Sequence, residues 1–287
     1  MRGESAGNQL AGIGDEAAVD LTGQIAAIHE LGWSAIELRT ADGIALGDLD
    51  APQFTAVRSA IRAAELDVVC LASRIGNWAR PITAPLRDDL RELDVLAEQC
   101  AALETRFVRI MSYPNDGLPE AEWRDRALDR VARLTERAAQ HGVVLVHENC
   151  AGWAGDDAER MLRLVTEVNS PSLRLLFDTG NGIDHGYDAH QLLERILPHV
   201  VHVHVKDAVG SPGNAEYVLP GDGQARVADC LRRLLAAGYR GPLSIEPHLA
   251  TRPHEGLRAH GSAAELFVQA GQRLEQLLRT CSEAVAP

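Results

Sequence analysis

Short apolar runs alternate with amphipathic stretches along the whole sequence, eight of each. The apolar runs read as β-strands and cover residues 9–13, 34–39, 68–72, 107–111, 143–148, 173–178, 200–205 and 243–246. The amphipathic stretches follow them at helical spacing and cover residues 21–31, 52–64, 86–103, 119–140, 158–168, 189–197, 227–237 and 263–278. Eight strand and helix pairs that permit right-handed crossovers predict an α/β fold of the (β/α)₈ barrel type.

The length and composition agree with one barrel rather than two domains. The sequence has 287 residues, of which 46% are hydrophobic, and a single barrel domain over residues 1–287 accounts for all of it. A doubly wound open sheet is the rival fold. It would gather reactive side chains around one switch point, whereas here they follow strands from several parts of the chain.

Charge and cysteine content narrow the range of partners. The formal net charge is −13 and no basic run of five residues occurs, which argues against nucleic acid or an anionic membrane as a partner. The five cysteines are odd in number and show no CxxC spacing, so we expect reduced thiols and a cytoplasmic protein. Neither a signal peptide nor a membrane-spanning segment is predicted.

Four polar side chains lie at the ends of four predicted strands. They are Glu148, Asp178, His204 and Glu246. Each alone has an ordinary structural explanation: a side-chain oxygen of Asp178, for example, can cap the turn that follows it, and His202 shares a face with His204 at period two. Together, three carboxylates and one imidazole suit one divalent ion, Mn²⁺, Mg²⁺, Co²⁺ or Zn²⁺, and exclude a soft thiolate site.

The motifs around these residues resemble those of a known family. HENC, FDTGN, HVHVKD, PGDGQ and GYRGPLSIEPH, with GWSAIELR near the N-terminus, resemble the sugar phosphate isomerase/epimerase superfamily, the xylose isomerase-like TIM barrels that include ketose 3-epimerases and hydroxypyruvate isomerases. The resemblance implies that Glu148, Asp178, His204 and Glu246 bind one divalent metal. It also implies that Glu148 and Glu246 act as an acid/base pair.

Further residues near strand ends are candidates for binding substrate. Two departures from the family leave the substrate open: Asn181 stands where many ketose epimerases have a histidine, and Gly210 where some have an arginine. Lys206 is placed to assist a developing oxyanion, or it is an ordinary surface lysine. The predicted substrate-binding residues are Lys206, Asn181, Glu37, Arg39, Arg74, Trp153 and His248.

The function that these residues predict is proton transfer next to a carbonyl group. We expect a divalent-metal-dependent isomerase or epimerase of a keto-sugar or related polyhydroxy carbonyl compound, acting through an enediolate. A lyase or dehydratase of a keto-sugar or keto-inositol is the first alternative, and a sugar-binding barrel without turnover is another. Phosphodiester cleavage is disfavoured by the acidic balance. The resemblance allows a homo-oligomer, although no segment marks an interface.

Overall fold

Each of the eight predicted apolar runs forms a β-strand in the computed structural model, which describes residues 7–249, 251–252, 257–258 and 263–285. The strands are β1 Leu10–Gly12, β2 Ala35–Leu38, β3 Asp67–Ala72, β4 Phe107–Ser112, β5 Val144–Gly152, β6 Leu173–Asp178, β7 Val200–Val205 and β8 Leu243–Ile245. All eight strands are parallel and lie in one sheet, in the order β1-β8-β7-β6-β5-β4-β3-β2. A parallel bridge between Ile13 and Glu37 joins the two edge strands.

Within the described ranges, at least one helix follows each of the eight strands, which confirms the predicted single-domain (β/α)₈ TIM barrel fold. Aspartates at the N-cap positions fix where several of these helices begin. The Asp20 carboxylate accepts a hydrogen bond from the Gly23 N–H, and Asp50 forms a capping box with Gln53. The helices are α1 Leu21–Glu30, α2 Ala51–Ala63, α3 Leu86–Ala102, α4 Glu120–Gln140, α5 Ala158–Val168, α6 Ala189–Ile196, α7 Val227–Ala236 and α8 Ala263–Val285.

The apolar core has an outer and an inner part. The outer and larger cluster lies between the strands and the helices and includes Leu134, Leu164 and Phe267. The inner cluster contains small and medium side chains from the strands themselves. A barrel of eight strands leaves room for little more than its own side chains, so the interior is packed and the site must lie at one end. The inner residues are Ala11, Ala35, Val69, Cys70, Val146 and Leu176.

Several elements are longer than the sequence predicts, and others are new. Strand β5 continues past Glu148 to Gly152, and helix α8 extends beyond residue 278. A β-hairpin pairs Asp207–Ser211 with Asn214–Val218, and a short helix forms at Asn181–His185. The hairpin turn needs Gly213, whose φ is +71°. These additions follow strands β6 and β7 and extend over the end of the barrel that carries the polar side chains.

The structure bears on the expected state of the cysteines and on the predicted lack of a membrane-spanning segment. All five cysteines are free thiols, and four of them are buried. Among the described residues, no helix is long and apolar enough to cross a membrane.

Candidate active site

The four strand-end residues converge in the structure. Glu148 lies within β5, Asp178 is the last residue of β6, His204 lies within β7, and Glu246 directly follows β8. One ligand atom from each lies within 4.8 Å of the others, and all four side chains are buried. Parallel strands of a barrel end at the same face, which is why residues up to about a hundred positions apart meet there.

His204 and the carboxylates point at a common centre. His204 Nδ1 lies 3.7 Å from Glu148 Oε1 and 3.4 Å from Glu246 Oε2. Asp178 Oδ1 accepts backbone hydrogen bonds from Gly180 at 2.8 Å and from Asn181 at 2.7 Å. These bonds orient the carboxylate, so that its second oxygen, Oδ2, is directed away from the turn.

The quartet has buried atoms that lack hydrogen-bond partners. Asp178 Oδ2 and His204 Nδ1 are both buried and make no hydrogen bond of regular geometry, although Lys206 Nζ lies 3.2 Å from Asp178 Oδ2. Buried polar atoms of native proteins are nearly always paired, so two such atoms that face one centre suit a bound cation. Three carboxylate donors and one imidazole match the ligands of Mn²⁺, Mg²⁺, Co²⁺ or Zn²⁺. These residues therefore fit a divalent metal ion.

Two further clusters of carboxylates and histidines among the described residues have the composition of a metal site, but their carboxylate oxygens already have hydrogen-bond partners. One contains Glu37 with His202 and His204, and the other contains Glu16 and His248 beside Glu246. Glu37 accepts from His202 Nε2 at 2.8 Å and faces His204 Nε2 at 3.0 Å. Glu16 accepts from the His248 N–H and faces His248 Nδ1, both at 2.7 Å. Their own donors occupy the oxygens that an ion would need.

Glu37 supports His204 from the side opposite to the other carboxylates. It is fully buried, and the pairing of β2 with β3 shifts register between Ile36 and Glu37. Burial alone would raise the pKa of the Glu37 carboxyl, but His204 and His202 hold it well below its usual range. A carboxylate on Nε2 fixes the ring so that Nδ1 faces the quartet. The structure thus places Glu37 behind a predicted metal ligand rather than at the open face.

Arginines hold the outer oxygens of the two glutamates. Arg109 Nη1 lies 2.9 Å from Glu148 Oε2, and Arg39 Nη1 lies 2.8 Å from Glu246 Oε1. Burial raises the pKa of Glu148, but Arg109 and then His204 lower it to about 2. Burial also raises the pKa of Glu246, but the ammonium of Lys206 outweighs this effect and holds that pKa well below its usual range. Both glutamates are therefore ionised at neutral pH.

Lys206 and His248 lie next to the quartet on the side of the hairpin that follows β7. Lys206 is 2% exposed, and its Nζ lies 3.2 Å from Asp178 Oδ2, 2.8 Å from Glu246 Oε2 and 3.4 Å from His248 Nε2. The His248 ring also meets the Tyr217 ring edge-on, with centroids 4.8 Å apart. Tyr217 belongs to the hairpin after β7, so this hairpin reaches the mouth of the site.

Asn181 contacts a glutamate of the quartet directly. Its side-chain amide donates to Glu148 Oε1 at 3.1 Å and to the Asn149 carbonyl at 3.1 Å. Asn149 in turn accepts from the Asp178 backbone N–H at 2.6 Å. The loop after β6 is thereby tied to the end of β5.

Two predicted substrate-binding residues lie in other contacts. Arg74 pairs with Asp48 and Glu92 and has a side chain that is 37% exposed. Trp153 is buried in the outer apolar cluster, and its indole N–H donates to Glu120 at 3.1 Å. Both make these contacts away from the quartet, whereas the other predicted residues contact it or its immediate partners; these are Lys206, Asn181, Arg39 and His248.

Sequence reasoning missed Arg109, Glu16 and Asp15. Arg109 interrupts the apolar run of β4, and a charged residue in a central strand of a parallel sheet is a signal that was available. Glu16 and Asp15 follow β1 in the 3₁₀ helix Gly14–Glu16, and both accept hydrogen bonds from Arg39. Their position directly after a strand was the same signal that identified the quartet.

Comparisons with known proteins agree with the barrel fold. The family model for xylose isomerase-like TIM barrels matches residues 25–267. The chain therefore belongs to the xylose isomerase-like TIM barrel family, as the sequence motifs predict. The matched range covers most of the chain and includes all four residues of the quartet.

Individual relatives are more distant. An inosose dehydratase of Geobacillus thermodenitrificans is 27% identical over 179 residues, a match that covers 56% of this chain and 60% of that protein. A solved IOLI protein with a bound zinc atom has a TM-score of 0.74 at 16% identity, covering 95% of this chain and 98% of its own. A 3-keto-D-glucoside 4-epimerase from E. coli has a TM-score of 0.69 at 16% identity, covering 96% and 100%. The two structures show likeness of fold.

Proposed function

We propose that this protein is a divalent-metal-dependent isomerase or epimerase of a keto-sugar or a related polyhydroxy carbonyl compound. The observation that carries the proposal is the pair of buried, ionised glutamates that face one centre from β5 and β8. An enolisable ketone requires a base beside its C–H bond and a means to hold the charge of the enediolate. The quartet and its neighbours offer both.

The two glutamates supply the proton chemistry. Each is ionised because arginine or lysine outweighs the effect of burial on its pKa. One carboxylate removes the proton next to the carbonyl group and becomes a carboxylic acid. The other carboxylate takes up a proton from water and delivers it to the enediolate, after which the first glutamate releases its proton to water. Arg109 and Arg39 keep each carboxylate oriented during the transfer, since each holds the outer oxygen.

A divalent ion in the quartet supplies Lewis-acid stabilisation of the negative charge that develops on the substrate oxygens. Glu148, Asp178, His204 and Glu246 would hold it. Lys206 adds a buried ammonium next to the quartet, where it donates a hydrogen bond to the enediolate oxygen. His248 and the Tyr217 ring border the same side and limit the space for substrate.

Dehydration is the second candidate function. The relative named above is an inosose dehydratase, and the match supports a reaction that shares enolate formation with epimerisation. In that reaction the enolate expels a β-hydroxyl group instead of accepting a proton. Lys206 is a protonated group in the right place to donate a proton to the departing oxygen.

One experiment tests proton abstraction and separates the two outcomes. The metal-loaded protein is incubated in D₂O with a panel of ketoses and keto-inositols, and products are analysed by mass spectrometry and NMR. Isomerisation or epimerisation retains the substrate's formula and introduces deuterium, whereas dehydration removes one water. If no member of the panel exchanges its α-proton or changes mass, the proposal is rejected.

Variants assign the chemistry to the glutamates. Glu148→Gln and Glu246→Gln are expected to abolish exchange, and their metal content is measured at the same time because both residues are candidate ligands. Glu98→Gln, which alters an exposed glutamate of α3, is the matched control and retains exchange. Full exchange in a metal-loaded Glu148→Gln or Glu246→Gln protein would remove that residue from the mechanism.

A further inference from the structure

Lysine is used once in this sequence. Of the 28 Lys and Arg residues, 27 are arginine, and position 206 holds the single lysine. It is not on the surface, where lysine is ordinarily found, but is 2% exposed at the centre of the site. Every other position with a permanently charged basic side chain has arginine, and the single lysine lies beside the quartet.

The contacts of Lys206 differ from those of the two arginines. Arg109 and Arg39 contact Glu148 Oε2 and Glu246 Oε1, the outer oxygens of the glutamates. Lys206 Nζ instead contacts Asp178 Oδ2 and Glu246 Oε2. These are inner atoms: Glu246 Oε2 is the oxygen nearer to His204 Nδ1, and Asp178 Oδ2 is the one without a hydrogen bond.

An ammonium at this position is close to any ion held by the quartet. An ion at an ordinary metal–oxygen distance of about 2.1 Å from Glu246 Oε2 lies within about 5 Å of Lys206 Nζ, because Nζ is itself 2.8 Å from that oxygen. The ammonium and the ion thus carry like charge at short range in a buried site, where screening by water is weak. Both draw on the same two carboxylate oxygens.

The stem of Lys206 is fixed, so only its end can move. Its backbone N–H donates to Thr179 Oγ1 at 3.1 Å, and its carbonyl accepts from the same hydroxyl at 2.6 Å. The stem packs against Gly180, where an added Cβ would overlap Lys206 Cγ. The ammonium can therefore leave the two oxygens only by rotation about its outer bonds, which keeps it beside the site.

From this geometry we propose that Lys206 is the internal counter-ion of the metal-free site and competes with the divalent ion for Asp178 and Glu246. It stabilises the buried carboxylates when no metal is bound, and it weakens the affinity for the metal. A metal ion that took these two oxygens would require the ammonium to turn away from them about the outer bonds of its side chain. The proposal rests on the proposed metal site and adds the coupling between metal binding and the position of Lys206.

Lysine suits this role better than arginine. An ammonium is a compact point charge that fits between two oxygens and can be turned aside, whereas a guanidinium binds carboxylates through a planar fork and is larger. Lys206→Arg is therefore the matched charged control for Lys206→Met, which keeps the length of the side chain and removes its charge.

Metal affinity tests the proposal without reference to turnover. Isothermal titration with Mn²⁺ is expected to show Kd at least about tenfold lower for Lys206→Met than for the wild type, since like-charge repulsion is removed. The metal-free Lys206→Met protein melts at a lower temperature than metal-free wild type, and Mn²⁺ raises its melting temperature by more. Lys206→Arg binds Mn²⁺ no more tightly than the wild type.

The wild-type protein provides a second test that does not depend on the folding of a variant. With a single lysine, ¹⁵N-lysine labelling gives one side-chain Nζ resonance, and Zn²⁺ is expected to shift it in step with saturation of the site. An unchanged Nζ resonance at Zn²⁺ saturation, or an unchanged or weaker Mn²⁺ affinity in folded Lys206→Met, overturns the counter-ion proposal alone. If the wild type binds neither ion, the metal site itself is rejected.

Discussion

Replacing Glu37 by glutamine should weaken metal binding although Glu37 is not a predicted ligand. The Glu37 carboxylate faces His202 Nε2 at 2.8 Å and His204 Nε2 at 3.0 Å, and all three side chains are fully buried. A glutamine amide has one oxygen that can accept, and its NH₂ group cannot. Glu37→Gln therefore removes a negative charge and leaves one ring N–H without an acceptor.

The magnitude follows from the support that Glu37 gives to His204. Loss of a charge-assisted hydrogen bond costs about 1.5–3 kcal/mol, and loss of a carboxylate behind a metal-binding histidine lowers metal affinity about 10- to 100-fold. A second effect works in the opposite direction, because a proton on His204 competes with the metal ion for the ring. Burial lowers the pKa of His204, but Glu37 and the other carboxylates raise it well above its ordinary value. Glu37→Gln reduces that competition, so the loss of Mn²⁺ affinity should be about tenfold near neutral pH, at the low end of this range, and no smaller at pH 9, where fewer protons compete.

The assay is titration of Mn²⁺ into the metal-free protein at pH 7 and pH 9, by calorimetry, with circular dichroism to establish folding. His202→Gln is the matched control because its amide still donates to Glu37 while the Glu37–His204 contact is kept, and we expect its Mn²⁺ affinity to stay near that of the wild type. Folded Glu37→Gln with wild-type affinity at both pH values would refute the role assigned to Glu37.

Three further outcomes follow from buried groups. Because the pKa of His204 is raised, metal binding at pH 7 should release close to one proton, and the calorimetric heat should vary with the ionisation enthalpy of the buffer; a heat independent of buffer would contradict this. His147 is buried with both ring nitrogens unpaired, and burial lowers its pKa to about 4, so the unfolded chain takes up a proton first as pH falls from 6.5. The wild type should lose about 2 kcal/mol of unfolding free energy between pH 7 and pH 5 that His147→Leu does not lose, as chemical denaturation at each pH will test. A Cβ on Gly223 would overlap the Asp207 carboxylate, which accepts a hydrogen bond from the Gly223 N–H. Gly223→Ala should therefore lower the free energy of unfolding by about 2 kcal/mol, whereas Gly213→Ala, at a position in open space, should lower it by about 1 kcal/mol. Equal melting temperatures of the two variants would contradict this prediction.

The barrel could be predicted because local patterns in the sequence indicate each of its strands and helices. Each apolar run is short, each amphipathic stretch repeats at helical spacing, and the reactive side chains follow strands from several parts of the chain, which favours a barrel over an open sheet. The convergence of Glu148, Asp178, His204 and Glu246 followed from the same pattern, since parallel strands place their ends at one face. What the sequence could not show was the ends of β5 and α8, which depend on contacts made after folding.

The roles of the surrounding residues could not be predicted, because they depend on partners from distant loops. Arg39 and Arg74 both follow predicted strands, and nothing in the local sequence separates them. Arg39 turns inward because Asp15 from the loop after β1 and Glu246 after β8 hold it, whereas Arg74 is held by Asp48 on the outside. Position at a strand end therefore predicts proximity to the site, and the direction of a side chain is decided by its counter-ions.

The three carboxylates of the quartet share one arrangement that explains how they can be buried together. Each has one oxygen held by a fixed donor: Arg109 on Glu148, the backbone N–H groups of the following turn on Asp178, and Arg39 on Glu246. These donors come from strands and turns, so they orient the carboxylates before any ligand arrives. The remaining oxygens face the centre, where repulsion among them must be offset by a cation. Lys206 offsets it in the metal-free protein, and a divalent ion in the quartet would offset it more fully, so the fold that makes the site also makes it selective for a cation.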